Sequence, residues 1–303
     1  MSTPLLFDRA MLEVKRKRAL RRFKPGADFL MHRVAEDLGE RLGSVLRQFD
    51  MAVALGGVTG HIATMLRASG QTRAVIRADC LWPETVAGTG AISLPDLVCH
   101  EDVLPFAAQS LDLVVSGLTL QTVDDLPGVL IQIRRALKPD GLYLAALAGG
   151  DTLKELRESF AIAETELTGG LSPRVIPFLD VRDLGGLLQR AGFALPVTDS
   201  ERLTVRYRSM LDLVADLRAM GASNPLLERS RKPIRRDLLV RTAEVYAERF
   251  SDPDGRIRAT FQILSASAWA PSDTQQKPAR RGSATVRLAD ALGTKELPTG
   301  ERP

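Results

Sequence analysis

Three glycines stand between an apolar run and a helical pattern near residue 60. Residues 51–55 are apolar, Gly56, Gly57 and Gly60 follow, and the next residues have a helical pattern. A strand, a glycine turn and a helix bring backbone N–H groups and a positive helix end toward a ligand. The spacing G-G-x-x-G differs from the dinucleotide fingerprint G-x-G-x-x-G. The pattern therefore predicts either a nucleotide-type site or simply a tight turn between strand and helix.

Carboxylates follow the next two predicted strands. Asp79 ends the second strand about twenty residues after the glycine turn, where a carboxylate accepts hydrogen bonds from ribose hydroxyls. Glu101 and Asp102 follow the third strand, where a carboxylate can bond the amino group of an adenine. The alternatives are a turn or helix cap for Asp79 and an exposed acidic loop for the other two. The spacing favours the ligand interpretation for Asp79.

Four further side chains give weaker signals. Trp82 can stack on an adenine face or fill a packing gap beside the loop. Asp151 follows the fifth strand and is a weak catalytic candidate, because its carboxylate can attract a guanidinium group. The alternative for Asp151 is the N-cap of the next helix. Arg174 and Tyr207 are weaker candidates for contacts with an acceptor.

His100 and Asp102 have the H-x-D spacing of a non-haem iron site. A second histidine ligand would have to be His61 or His32, and a two-residue match arises easily by chance. We therefore predict no metal site and expect His100 and His61 at a pocket edge or on the surface.

The elements that position these residues alternate along the first half of the chain. Helical patterns separate five predicted strands, which implies a parallel sheet covered on both faces. The strands are residues 51–55, 72–78, 96–99, 111–116 and 142–148, and a turn is predicted at 138–141.

The second half predicts helices and a few strands. A long helix is predicted from residue 151, separate strands at 193–197 and 203–207, and a last strand at 256–269. We expect an N-terminal helical lid at 1–48, a core domain with helical insertions at 49–271, and a loosely ordered tail at 272–303.

Composition limits the classes of function. The 303 residues carry a net charge of only +4, which is too weak a bias to indicate nucleic-acid binding. No apolar stretch reaches the length of about 18 residues that a membrane span needs. Two cysteines make no disulfide framework and fit a reducing compartment. The basic segment at residues 7–23 predicts a targeting peptide, a docking arm or a lid helix, and we favour a surface helix of the fold.

The motifs together resemble a known family. The glycine turn, Asp79, Glu101-Asp102, LPF (104–106), LDLVVS (111–116) and LKPDG (137–141) resemble class I S-adenosylmethionine-dependent methyltransferases. The second half is more specific and resembles mitochondrial complex I assembly factor 5 and its bacterial relatives. The segments that carry this resemblance are GGDTLKELRES (149–159), ETELTGGLSP (164–173), DLGGLLQRAGF (183–193), DLRAMGASN (216–224) and RGSATV (281–286), with FDRAM (7–11) in the first half.

The resemblance implies a fold, a cofactor, a partner and a location. It implies a Rossmann-like seven-stranded α/β sheet with an antiparallel last strand, and S-adenosyl-L-methionine as cofactor. Its cofactor contacts would be Gly56, Gly57, Thr59, Gly60, Asp79, Trp82, Glu101, Asp102 and Val103. It also implies that the chain hydroxylates or methylates a protein arginine on the iron–sulfur subunit of the peripheral arm of NADH:quinone oxidoreductase, in the cytoplasm. The alternatives are a methyltransferase acting on a small molecule or an acyl carrier, and a non-catalytic assembly chaperone.

The chain departs from the family pattern at three places. Ala54 stands where relatives carry an acid, and Val58 replaces the middle glycine of the turn. Residues 120–122 are LQT, whereas relatives often carry L-H-W. A lost charge-assisted hydrogen bond costs roughly 1.5–3 kcal/mol, or about one to two orders of magnitude in affinity. We therefore expect weak binding of S-adenosylmethionine.

Overall fold

The computed structural model describes residues 5–23, 26–57, 59–81, 95–276, 282–283 and 285–295. The chain divides into two compact units, Met1–Pro271 and Ser272–Pro303. In the second unit the described residues form one short helix, Leu288–Leu292. The residues that position the candidate site all belong to the first unit.

The first unit consists of helices and strands in alternation. They are α1 (Arg9–Arg21), α2 (Phe29–Gly43), β1 (Phe49–Leu55), α3 (His61–Ala68), β2 (Thr72–Asp79), β3 (Leu97–Val98), β4 (Leu111–Gly117), a 3-10 turn (Leu120–Thr122), α4 (Leu126–Ala136), β5 (Leu137–Ala148), α5 (Lys154–Thr168), α6 (Val181–Arg190), β6 (Ala194–Tyr207), α7 (Met210–Ala219), α8 (Arg236–Phe250) and β7 (Ile257–Trp269).

The strands form one seven-stranded sheet in the order β3-β2-β1-β4-β5-β7-β6. The first five of these strands are parallel. Strand β7 runs antiparallel to both of its neighbours, β5 and β6. This topology confirms the Rossmann-like fold predicted above. The strand order reverses between β1 and β4, and in such sheets ligands bind in the crevice at that point.

Two apolar layers cover the sheet, because successive strand residues point to opposite faces. In β1, Ala52 and Ala54 pack in the layer that contains α2, α3, α5, α7 and α8. Val53 and Leu55 pack in the layer that contains α4 and α6. The strands of the central sheet are therefore apolar on both faces, as parallel strands covered by helices require.

Two local predictions are wrong. The turn predicted at 138–141 lies inside β5, where a register shift opposite Leu111 and Leu113 makes a bulge. Asp140 takes a left-handed conformation there (φ +64°), so the turn residues bend a strand that continues. The predicted strands at 193–197 and 203–207 form one strand, β6, whose polar middle is accommodated because it is the edge strand of the sheet.

The basic N-terminal segment forms helix α1, which packs against α7. Asp8 caps α1 by accepting a hydrogen bond from Met11 N at 2.9 Å, and it also pairs with Arg229. Phe7 bridges to Leu226 just before the helix begins. Among the described residues, no helix is long and apolar enough to cross a membrane.

Candidate functional site

The glycine turn lies at the carboxyl end of β1, next to the segment that follows β4. Gly56 and Gly57 take left-handed conformations, with φ of +71° and +91°. A Cβ on Gly56 would lie 2.8 Å from the Cβ of Thr119, so a glycine at this position is required by the close approach of the Thr119 side chain. Among the described residues, a Cβ on Gly57 would meet only Met31, at 3.8 Å. Gly57 therefore leaves space for a ligand.

A cavity of about 850 Å³ opens beside this turn, a volume typical of small-molecule sites. Gly57, Thr59 and Gln121 contribute to its wall at the sheet edge. Much of the remaining wall is apolar and comes from α1, α5, α7 and the segment at 175–178. Helix α1 therefore covers one side of the cavity.

Two polar atoms near the turn have no partner. Thr59 Oγ1 and Gln121 Oε1 are buried, and neither makes a hydrogen bond within the described part of the chain. Both residues line the cavity. Because buried polar groups are normally paired, these two atoms are the ones that a polar ligand would satisfy.

The cavity wall is strongly cationic. Among its described lining residues, one is acidic, Asp28, and it pairs with His61 at 2.5 Å. Six are basic: Lys15, Arg16, Arg174, Arg218, Arg229 and Lys232. The basic groups of this wall therefore outnumber its acidic groups.

Some of these cations are neutralised within the chain. Arg174 pairs with Glu164, and Arg229 pairs with Asp8. Lys15 donates to the carbonyl oxygen of Asn224, and burial, together with the charge of Arg229, lowers the pKa of Lys15 to about 8. Within the described residues no carboxylate lies within ion-pair distance of Lys15, Arg218 or Lys232.

Asp79 is buried at the end of β2 and does not line the cavity. Its carboxylate accepts hydrogen bonds from Arg77 Nη2 at 3.2 Å and from Leu81 N at 3.2 Å. Arg77 also donates to the carbonyl oxygen of Gly57 at 3.0 Å. Burial raises the pKa of Asp79, and Arg16 and Arg77 oppose that shift. The predicted ribose acceptor is thus engaged by an arginine of its own strand.

Glu101 is also buried, and it pairs with an arginine of α1. Arg16 Nη1 lies 2.6 Å from Glu101 Oε1 and 3.2 Å from Cys80 Sγ. Arg16 is only 7% exposed, so this is a buried ion pair. Burial raises the pKa of the Cys80 thiol to about 12, and the thiol is therefore protonated at neutral pH. Arg16 stands between the cavity and Glu101, which is outside the cavity wall.

The other predicted cofactor contacts are Asp102, Val103, Gly60 and Trp82. Asp102 pairs with Arg9 at 2.5 Å, and burial raises the pKa of its carboxyl group. Val103 is 66% exposed. Gly60 has a φ of +76° and precedes α3 directly. Trp82, like Val58, lies outside the described residues.

Asp151 contacts strands β6 and β7 rather than the glycine turn. Its carboxylate already binds a guanidinium of this chain, that of Arg202, at 2.6 Å. Its interpretation as a helix cap is wrong, because α5 begins after Leu153, which holds a left-handed conformation and makes no side-chain cap. Tyr207 is 8% exposed and packs in a core layer.

Arg16 and Arg77, which engage Glu101 and Asp79, were not among the residues predicted from the sequence. A signal for each was present. Arg77 interrupts an apolar strand, and Arg16 stands on the same helical face as Leu12, Ala19 and Leu20, where a surface arginine is not expected. A buried arginine implies a buried carboxylate, but the sequence does not say which one.

Comparison with known proteins gives consistent matches. Residues 53–145 match the family described as Methyltransferase domain. The chain is 38% identical over 288 residues to "Arginine-hydroxylase NDUFAF5, mitochondrial" of Rattus norvegicus, covering 94% of this chain and 83% of that protein. It is 34% identical over 259 residues to "Malonyl-[acyl-carrier protein] O-methyltransferase" of Laribacter hongkongensis, covering 81% and 84%.

A solved structure shares the fold at low identity. The YcgJ protein of Bacillus subtilis aligns with a TM-score of 0.53 and 14% identity, over 78% of this chain and 99% of that one. A likeness at this identity supports the fold alone.

The predicted cytoplasmic location is wrong. The rat relative and its counterparts in zebrafish and human carry names that place them in the mitochondrion. The cytoplasmic prediction followed from the resemblance to bacterial relatives, with the basic N-terminal segment as a lid helix rather than a transit peptide. A segment that folds as a helix does not by itself decide location. The similarity that covers nearly the whole chain identifies its family. The chain belongs to the family of the arginine-hydroxylase NDUFAF5 and its bacterial relatives, within the class I S-adenosylmethionine-dependent methyltransferases.

Proposed function

We propose that this chain modifies a protein arginine during the assembly of respiratory complex I. The observation that carries the proposal is the 38% identity to an arginine hydroxylase over 94% of the chain. The proposed partner is the iron–sulfur subunit of the peripheral arm of NADH:quinone oxidoreductase. Hydroxylation and methylation of the arginine are both open to test.

We propose S-adenosylmethionine as the ligand of the glycine turn. The open position at Gly57 and the unpartnered Thr59 Oγ1 and Gln121 Oε1 fit its polar methionine end. Gly56 and Gly60 shape the turn, while Asp79, Glu101 and Asp102, with Trp82 and Val103, are the proposed contacts of the nucleoside. When bound, this ligand supplies an electrophilic methyl group on a sulfonium.

The nucleoside half of the site fits less well, because internal ion pairs engage its three acids, Asp79, Glu101 and Asp102. Binding has to compete with Arg77 for Asp79 and with Arg16 for Glu101. Breaking a buried pair costs several kcal/mol unless the ligand replaces the lost contacts. We therefore propose that the chain binds S-adenosylmethionine weakly and that release of Arg16 precedes binding.

A second candidate is methyl transfer to an acid carried as a thioester, the chemistry named for the Laribacter relative. The cationic cavity wall favours it. Lys15, Arg218 and Lys232 attract a carboxylate and repel a guanidinium. An arginine acceptor would have to enter the same cavity past these positive charges. Asp28, the acidic residue among the described lining residues, is already paired to His61. The wall's charge is the one observation that supports this candidate over the first.

Mass spectrometry separates the two candidates. The purified chain is incubated with S-adenosylmethionine, dioxygen and an added reductant, the last two being required for any hydroxylation, and with either the complex I subunit or a malonyl thioester of an acyl carrier protein. A gain of one oxygen or one methylene on an arginine peptide supports the first candidate. A gain of one methylene on the malonyl group supports the second. Recovery of the subunit unmodified but in a stable complex with the chain indicates a non-catalytic chaperone.

Charge variants sharpen the comparison. Arg218→Gln together with Lys232→Gln removes two cations of the wall that have no carboxylate partner among the described residues, and is expected to lower the rate on a malonyl thioester by at least tenfold. Arg208→Gln is the matched control, because Arg208 is exposed and does not line the cavity. An equal loss in both variants would argue against direct recognition of the carboxylate.

A further inference from the structure

Three side chains with metal-binding atoms meet at the edge of the sheet beside the candidate site. Cys80 follows β2 directly, and His100 and Glu101 follow β3. These two strands are parallel neighbours, so their carboxyl ends lie at the same edge. One ligand atom from each residue lies within 4.8 Å of the other two. This cluster is not the His100–Asp102 pattern considered in the sequence.

The donor types select a class of ion. A soft thiolate sulfur, a borderline imidazole nitrogen and a hard carboxylate oxygen together suit Zn²⁺, Fe²⁺ or Co²⁺, whereas Mg²⁺ and Ca²⁺ prefer oxygen alone. Three protein ligands leave a fourth position open, as in catalytic zinc sites. Ligand atoms around a tetrahedral ion lie roughly 3.3–3.8 Å apart, so donors separated by the upper limit of 4.8 Å would have to approach by about 1–1.5 Å.

The cluster already holds a cation. Arg16 Nη1 lies 2.6 Å from Glu101 Oε1 and 3.2 Å from Cys80 Sγ, in a position where it contacts two of the three donors. Cys80, Glu101 and Arg16 are each at most 7% exposed. This buried place therefore stabilises a positive charge that comes from a different part of the chain.

We propose that Cys80, His100 and Glu101 bind a divalent transition-metal ion in exchange for the guanidinium of Arg16. Local charge is balanced in both states. Arg16 neutralises Glu101 while the thiol stays protonated, and a divalent ion neutralises the Glu101 carboxylate and the Cys80 thiolate. The thiol proton passes to solvent when the metal binds.

The surroundings allow this exchange. Arg16 also lines the large cavity, so the displaced guanidinium has space to enter. His100 is exposed, which gives the ion a path from solvent and lets the imidazole move toward the other donors. Two other charged pairs adjoin the cluster, Asp79 with Arg77 and Asp102 with Arg9, and each is neutral as a pair.

Titration with Co²⁺ alone tests the site on the full chain, without tag, S-adenosylmethionine or substrate. A thiolate ligand gives Co²⁺ a charge-transfer band in the near ultraviolet. We expect one saturable equivalent with this band in the unaltered chain. Cys80→Ser should lose the band, and Cys99→Ser, the matched control with a cysteine outside the cluster, should keep it. Because no cofactor is present, failure here leaves the proposed function untouched.

Further variants test the other ligands and the exchange. His100→Ala should weaken Co²⁺ binding at least tenfold, whereas His32→Ala should leave it unchanged. Arg16→Gln removes the competing charge but keeps a hydrogen-bond donor, and should tighten binding at least tenfold. The proposal is overturned if neither the unaltered chain nor Arg16→Gln gives the band, or if Cys80→Ser keeps it. The two cysteine variants decide the matter even if Arg16→Gln does not fold.

Discussion

Ala54 and Arg77 lie side by side in register on the parallel strands β1 and β2. Residues paired in this way present their side chains on the same face of the sheet. The methyl group of Ala54 stands next to the fully buried side chain of Arg77, whose guanidinium donates to Gly57 O and to Asp79. The position where relatives carry an acid therefore adjoins a buried cation.

A carboxylate introduced at this position should improve cofactor binding. In Ala54→Asp, the new carboxylate would pair with Arg77 and provide an acceptor for the amino group of S-adenosylmethionine. A charge-assisted bond of about 1.5–3 kcal/mol corresponds to roughly a tenfold or greater gain in affinity. Isothermal titration calorimetry on both proteins measures the gain.

The matched control is Ala52→Asp, which lies on the same face opposite Val75. That control should lower the free energy of unfolding by roughly 3 kcal/mol or more, because its buried charge has no partner.

The two glycines of the turn should separate a structural effect from a ligand effect. Gly56→Ala places a Cβ against Thr119 in a left-handed conformation, which should lower the free energy of unfolding by roughly 2–4 kcal/mol. Gly57→Ala meets no close atom and should cost only the backbone strain, about 1–2 kcal/mol. Its main effect should be weaker binding of S-adenosylmethionine. Urea denaturation and calorimetry together distinguish the two, and equal destabilisation would contradict the packing argument.

Lys15 should make stability depend on pH. Its pKa is about 8 in the folded chain and 10.5 when unperturbed. Between these values the unfolded state binds more protons, so the free energy of unfolding should rise as pH increases through 8. Lys15→Met should reduce this rise, and the comparison of variant and unaltered chain isolates Lys15 from the cysteines that titrate higher. Urea denaturation at pH 7, 8 and 9 measures it. A rise of the same size in both proteins would remove Lys15 as its cause.

The buried pair of Arg16 and Glu101 should matter more for stability than an exposed pair of similar length. Glu101→Ala leaves a buried guanidinium without a counter-charge and should cost roughly 3–5 kcal/mol. Glu158→Ala breaks the pair with Arg249, in which both side chains are about half exposed, and should cost roughly 0–1 kcal/mol. Chemical denaturation at one pH compares the two. A small loss in Glu101→Ala would mean that Arg16 finds another partner when Glu101 is removed.

The sequence by itself determined the fold and the position of the glycine turn at the end of the first strand. Apolar runs alternating with helical patterns predicted the parallel strands, since such strands are covered on both faces, and the glycines marked the end of β1. These signals come from residues close together in the chain, so they can be recognised in the sequence alone. The polar middle of β6 was wrongly predicted to separate two strands. Whether a strand lies at the edge of a sheet, where polar residues are accommodated, is not a local property of the sequence.

Only the tertiary structure decided the electrostatics of the site. Arg16 and Glu101 are 85 residues apart, and nothing in either segment specifies that they meet. The cationic wall of the cavity likewise assembles from α1, α7 and residues near 174 and 229–232, each of which alone would be an ordinary basic surface. The charge that a ligand encounters depends on distances between segments, and those distances exist only once the chain is folded.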